Sequence, residues 1–203
     1  MASILYRTLI TWLFLIVSAN SYAAMVVPLG LDRLHGDAEY IFLGECTSNN
    51  VDFDRISNMV VTYTTFEVVE SFKGTLGRTH TIKQVGGALP GADMVTKFAG
   101  VPQFEVGKRY VLFLPPVSTL GFSTPVGLGQ GLFHVHVDSS GAPVIKSGRD
   151  VGELLENLPQ NQIPSRITDK LRAMPDKRQP DQAKARAEMH LDDFRSIMRG
   201  MGK

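Results

Sequence analysis

The sequence predicts a mainly β domain, a small barrel or a sandwich, followed by a C-terminal α-helical extension. Three observations carry that expectation. Runs rich in Val, Thr, Tyr and Phe recur between Gly, Pro and Asn clusters from Asp37 to about Ser147, the pattern of short packed strands joined by turns. After Asp150 the pattern changes to amphipathic helical spacing punctuated by Pro159, Pro164, Pro175 and Pro180. The 203 residues are 43% hydrophobic and include 11 Phe, enough for one sizeable core in a chain of about one domain's length.

The first 23 residues read as a secretory signal peptide. Arg7 supplies a positive start, Thr8 to Ala19 an apolar run, and Ser21-Tyr22-Ala23 the small residues a signal peptidase requires. Cleavage near Ala23 sends the remainder to the periplasm or beyond the cell. The competing reading is a retained anchor, since no charge occurs between Arg7 and Asp32. Asn20, Ser21, Pro28 and Gly30 make that stretch a poor membrane helix.

Strands follow in order. Tyr40 to Thr47 is an apolar run closed by the turn cluster Ser48-Asn49-Asn50, and Met59 to Phe72 is a long strand ending at Lys73-Gly74. Arg78 to Val85 alternates and stops at Gly86-Gly87; Arg109 to Leu114 stops at Pro115-Pro116. Gly131 to Val137 and Pro143 to Lys146 flank the turn Asp138-Ser139-Ser140-Gly141. Between the third and fourth strands, Gly86 to Gly107 is a long irregular connection rich in Gly and Pro. Long loops on a rigid scaffold tend to carry function, so Gly86, Gly87, Pro90, Gly91 and Asp93 are candidate binding residues. The helical part comprises Val151 to Leu158 with Asp150 as N-cap, Ile167 to Met174, and Ala183 to Met198. The last of these carries the apolar stripe Ala187, Leu191, Phe194 and Met198. The chain thus divides into a signal peptide (1–23), a β domain (24–148) and a helical extension with a Pro-rich linker (149–203).

Chemistry-bearing patterns are sparse. His134 and His136 stand at i and i+2 of one strand and so share a face. They are candidate metal ligands, with His80 or Asp138 to complete a set of three or four. Cys46 is the single cysteine and lies in an apolar strand, where a thiol is usually a small core hydrophobe. There is no G-x-S-x-G elbow. The glycines of Val126 to Gly131 precede a strand, not the helix a phosphate loop needs. Asp52 and Asp54 sit in NNVDFD, without the glycine and terminal Glu of a calcium hand. No catalytic set emerges and no cofactor is expected.

The net charge of +1 gives no reason to expect nucleic acid as a partner. That near-neutrality conceals a division. Ser165 to Lys203 holds ten Lys+Arg against six Asp+Glu, and Ala24 to Pro164 ten against fourteen. The basic tail reads as an amphipathic helix docking on its own acidic domain, with a membrane surface as the alternative.

The stretches LGECTS (from Leu43), TYTTFEVVESFKG (from Thr62), FEVGKRYVLFL (from Phe104) and GQGLFHVHVDSSG (from Gly129) resemble a family of exported bacterial proteins of uncharacterised activity. Some proteins resembling that family carry such a module beside metalloprotease domains. The matching positions are Gly44, Phe66, Val68, Phe72, Lys73, Gly74, Gly107, Phe113, Gln130, Gly131 and Phe133. More distantly, the order of strands with a long strand ending F-K-G is similar to the netrin-like module of tissue metalloprotease inhibitors, which implies an OB-like barrel. Those inhibitors chelate zinc with an N-terminal cysteine and carry several disulfides; here Ala24-Met25 would come first and Cys46 is alone.

The function expected is therefore non-catalytic binding in the cell envelope, with a cell-envelope or extracellular protein as partner. The resemblance adds a protease to the candidates. Two alternatives stay open: a metal-dependent hydrolase using His134 and His136, and a membrane-surface protein using the helix Ala183 to Met198.

Overall fold

In the computed structural model, which describes residues 27–91, 95–174 and 179–202, the β runs pair into one antiparallel sheet. The signal-peptide reading and Asp93 lie outside the described residues. The strands are β1 (Tyr40–Asp54), β2 (Met59–Lys73), β3 (Thr79–Val85), β4 (Gly87–Ala88), β5 (Val95–Thr96), β6 (Arg109–Leu114), β7 (Leu132–Val137), β8 (Pro143–Lys146) and β9 (Glu188–His190). Seven of them form a sheet of order β3-β2-β1-β6-β7-β8-β9, while β4 and β5 make a separate ribbon. Among the described residues no ladder joins β3 to β9, so the sheet is open and the expected barrel does not close. The reason lies at the C-terminus: β9 pairs with β8 and lengthens the sheet, and helices cover one face where barrel closure would otherwise bury it.

Period-2 alternation gives this sheet two apolar faces. Ile41, Leu43, Val111, Phe113, Phe133, Ile145 and Met189 point to one of them. There they meet α1 (Leu31–Asp37), α2 (Val151–Leu154), α3 (Ser165–Ala173) and α5 (Leu191–Met201) through Leu34, Leu154, Ile167, Phe194 and Ile197. Asp150 caps α2 as its sequence position suggests, accepting from Gly152 N–H at 2.7 Å. On the opposite face Phe42, Cys46, Phe66, Ile82, Tyr110, Leu112 and Leu114 form a second core with Phe104. Phe66 and Phe104 meet edge to face at 5.0 Å, and Phe104 and Tyr110 at 5.1 Å, the geometry ring quadrupoles favour.

The helix expected over Val151 to Leu158 stops at Leu154 and continues as a turn, and two further expected elements are laid out differently. The helix expected over Ala183 to Met198 is two helices, α4 (Pro180–Arg186) and α5, with β9 between them. Arg186 explains the break. Its guanidinium is buried, binds Asp150, and donates to the Leu171 and Met174 carbonyls at 3.0 and 2.7 Å, anchoring the end of α4 so that the chain can enter the sheet. The stripe Leu191, Phe194 and Met198 is buried in the core, so this apolar face is taken up within the molecule. Arg195 reinforces the docking through Glu70 of β2, at 2.8 Å.

The second difference concerns β1. The expected turn at Ser48-Asn49-Asn50 is strand, and β1 continues to Asp54. The register steps from Cys46↔Phe66 to Ser48↔Thr65, leaving Thr47 as a bulge. One extra residue in a strand of period 2 reverses which side chains face inward. Asn49 and Val51, not Ser48 and Asn50, therefore continue the face that carries Cys46. The actual turn lies at residues 55–58 and uses Asn58 at a φ of +56°.

Candidate functional site

Beyond the bulge, β1 and β2 run on as a two-stranded arm, joined by the upper half of β3. Register places Asn49 opposite Thr64, whose other neighbour across β2 is Ile82, and Val51 opposite Thr62, whose other neighbour is Gln84. These side chains form a floor. The chain leaves β3 through Gly86 and Gly87, both at positive φ, 94° and 138°. A Cβ on Gly86 would meet the Thr96 carbonyl at 2.6 Å, and one on Gly87 would meet Thr62 Oγ1 and Val51 Cγ1 at 2.7 Å. Only glycine can take both the backbone conformation and this approach. The Thr62 hydroxyl fastens the turn, donating to Gly86 O at 2.7 Å. From there the β4–β5 ribbon and residues 96–104 return across the floor until Phe104 enters the second core. The flap is pinned by Asn49 Nδ2, which donates to Phe104 O at 2.7 Å, and by Glu105 N–H, which donates to the Tyr110 hydroxyl at 2.9 Å.

Between floor and flap lies a cleft of about 540 Å³, inside the range of about 300–1,000 Å³ usual for ligand sites. Its walls combine Val51, Val101, Pro102, Phe98 and Phe104 with the polar side chains Asn49, Thr62, Thr64, Gln84, Lys97 and Gln103. Thr64, although 1% exposed, is satisfied by donating to Asn49 Oδ1 at 2.7 Å. Gln84 is not: only 2% exposed, its amide nitrogen has no acceptor among the described residues. Lys97 is exposed and makes no ion pair among the described residues. No described acidic side chain lines the cleft.

The sequence-predicted residues distribute unevenly about this site. Gly87 lines the cleft and Gly86 forms its hinge, whereas Pro90 and Gly91 are exposed on the ribbon and outside the lining. His134 and His136 share a face as expected but lead to different neighbours. The His134 ring packs on Tyr110 at 5.2 Å, and His136 Nε2 stands 3.5 Å from Glu188 Oε1. Burial pushes the His134 imidazole below its ordinary value, against the opposing influence of Glu105. Among the described residues no three His, Cys, Asp or Glu side chains come together as a metal site.

Cys46 is 1% exposed within the second core, and burial pushes its thiol up, away from the reactive thiolate. The glycines of Val126 to Gly131 form a turn ahead of β7, and Gln130 within it fastens the segment around Leu29 that precedes α1. It accepts from Leu29 N–H at 2.8 Å and from Arg149 at 2.7 Å. Asp54 belongs to an ion pair with Lys83 at 2.6 Å. Lys83 also donates to Leu120 O at 2.8 Å and lies 4.6 Å from the centre of the Phe122 ring. That cluster is on the other face of β3 and holds the loop after β6 in place.

Sequence reasoning passed over Gln84, Asn49, Thr62, Thr64 and Lys97. A signal for Gln84 did exist, because His80, Ile82 and Gln84 share the inward face of an alternating run. No family model matches the chain, and no curated protein sequence matches it.

Proposed function

We propose that the protein is an exported, non-catalytic binding domain of the cell envelope whose partner enters the cleft between the β1–β2–β3 arm and its glycine-hinged flap. The observation that carries this reading is Gln84. Among the described residues its amide nitrogen is shielded and has no acceptor, which is costly, and the residue lines the cleft that the long Gly/Pro loop roofs over. The reading is also supported by a rigid scaffold, two glycines that set the hinge, and a lining of apolar and uncharged polar groups suited to recognition. Export rests on the N-terminal sequence. The OB-like, netrin-like comparison belongs to the same proposal. What supports it is the meander β3-β2-β1 continued by β6 and β7, wrapped about an aromatic core, as in a partly open barrel.

A photo-crosslinking amino acid at Gln103, exposed on the cleft wall, tests the proposal against the same group at Ser139 in the β7–β8 turn. We expect a discrete polypeptide adduct in the envelope of producing cells from position 103 and none from 139. The same adducts from both positions, or none from 103, would overturn the reading.

A further inference from the structure

We infer that the chain pairs with a second copy of itself along the open edge of the β1 arm, antiparallel and about a two-fold axis at Val51. This surface is separate from the cleft and does not depend on it. Gly86 N–H donates to Val60 O and Val68 N–H donates to Arg78 O. The even-numbered residues of β2 therefore turn their peptide groups to β3, and the odd-numbered ones turn theirs to β1. Register sets Thr65, Tyr63 and Val61 opposite Ser48, Asn50 and Asp52. The N–H and C=O groups of Asn49, Val51 and Phe53 consequently point away from the sheet. Up to Cys46 that edge is occupied: Cys46 N–H donates to Lys108 O at 2.9 Å and Cys46 O accepts from Gly107 N–H at 2.8 Å. Past the bulge, no backbone group among the described residues pairs with these three, and Phe53 N–H turns to the Asp52 carboxylate beside it at 2.7 Å. A strand edge left open in this way is a template for another strand.

The occupant follows from the symmetry of that edge. Its open stretch runs from Ser48 to Asp54, between the bonded Cys46 and the turn at 55–58, and Val51 is its midpoint. A copy rotated about Val51 sets Asn49 opposite Phe53, Val51 opposite Val51 and Phe53 opposite Asn49. Each pair exchanges two bonds, about six in all. Charge agrees with this register. Asp52 falls opposite Asn50, whose amide can donate to it, and Asp54, already paired with Lys83 at 2.6 Å, falls opposite Ser48. An axis at Asp52 or Phe53 would oppose two carboxylates, which is unfavourable. One at Asn49 or Asn50 would drive the copy into the edge already held at Cys46. The same alignment covers apolar surface at the tip of the arm. Phe53, 45% exposed, comes beside the partner's Asn49, and Ile56, 80% exposed, comes toward the partner's loop at Val106, itself 60% exposed.

The experiment is sedimentation velocity of the full mature chain over a micromolar concentration series, and a reversible dimer is expected at its upper end. Asn50→Asp opposes carboxylates at both Asn50–Asp52 contacts and should raise the dissociation constant about tenfold, a loss that added salt reduces. Combining it with Asp52→Asn exchanges the two groups, sets amide against carboxylate again, and should restore the dimer. Both side chains are exposed, and circular dichroism checks that each variant is folded. Register is read independently by mixing Asn50→Cys chains with Asp52→Cys chains under mild oxidation. Opposed residues at such a position have Cα atoms about 4.5 Å apart, within disulfide reach. The mixture should therefore form a covalent dimer, and neither variant alone should. A monomer at every concentration, with no disulfide in the mixture, overturns the inference. A dimer indifferent to Asn50→Asp, or one that the exchange fails to restore, overturns the assignment to this edge. Either cysteine variant crosslinking alone as readily as the mixture overturns the axis at Val51. The crosslink at position 103 is read separately, so the cleft reading stands or falls on its own.

Discussion

Replacing Gln84 by Met should make this protein more stable. The side chain is 2% exposed and its amide nitrogen has no acceptor among the described residues, and such a group costs about 1–3 kcal/mol of desolvation. Methionine has nearly the same length, carries no donor, and adapts to irregular space. Its neighbours on the same face are Ile82 and the cleft wall of Val51 and Phe104. Taking the middle of that range, about 2 kcal/mol, and allowing up to about 1 kcal/mol for imperfect repacking leaves a gain of about 1–2 kcal/mol. In a domain of this size that raises the thermal midpoint by about 2–8 °C. The assay is urea denaturation followed by far-UV circular dichroism, with the thermal midpoint as a second probe. The midpoint should rise while the urea slope stays constant, since burial elsewhere is untouched. A lower or unchanged midpoint at constant slope would refute the reasoning, because it would mean that the amide is already satisfied in the free protein. A residue kept at the expense of stability is the kind that binding sites retain.

Three further outcomes follow from the core and its anchors. Phe194→Ala removes a fully buried ring that meets Phe72 at 5.2 Å and Phe113 at 6.1 Å. Urea unfolding should show a loss of about 3–5 kcal/mol, whereas a helix merely appended to the sheet would lose far less. Lys83 holds the Asp54 carboxyl well below the usual carboxylate range, helped by Ser57. A depressed folded-state value means that the stabilisation is fully present above the unfolded value of about 3.9 and is lost as pH falls through the folded one. The gap in urea midpoint between wild type and Asp54→Asn should therefore be constant from neutral pH down to about pH 4 and shrink below it; a gap that widens on acidification would reverse the sign. Gln130→Ala takes away the acceptor of the Leu29 amide, so that amide should exchange with deuterium faster, while amides of β6 keep their protection.

Most strands were legible because their side chains alternate and their ends are marked. Met59 to Phe72 and Arg109 to Leu114 are bounded by Lys73-Gly74 and Pro115-Pro116, and they fold as β2 and β6 within a residue of those limits. Helical spacing from Ala187 to Met198 identified the docking stripe, yet the chain interposes β9, because Arg186 and its buried partners are a tertiary constraint that local periodicity does not encode. Sheet closure was equally hidden, since it depends on what the chain after Asp150 pairs with. Gly86 and Gly87 were legible as a loop signal. Their role as a hinge against Thr62 and Val51 came only with the structure.

The bulge at Thr47 connects the cleft to its invisibility in the sequence. Counting alternate residues from Phe42 and Cys46 assigns Ser48, Asn50 and Asp52 to the inner face, a polar set that no core would accept, so the run reads as a turn. The one-residue step in register places Asn49 and Val51 there instead. Asn49 then serves two partners at once, donating to Phe104 O on the flap and accepting from Thr64 on the floor. A side chain at position 48 or 50, projecting from the other face, could do neither. Without the bulge the flap would lose its pin to β1, and Val51 would no longer oppose Thr62 and Gln84. Deleting Thr47 should therefore act on the cleft before the core. Amides of residues 98–104 should lose exchange protection, and position 103 should lose its crosslink, while β6 and α5 keep theirs. Uniform loss of protection across the sheet would instead show that the bulge supports the fold and not the site.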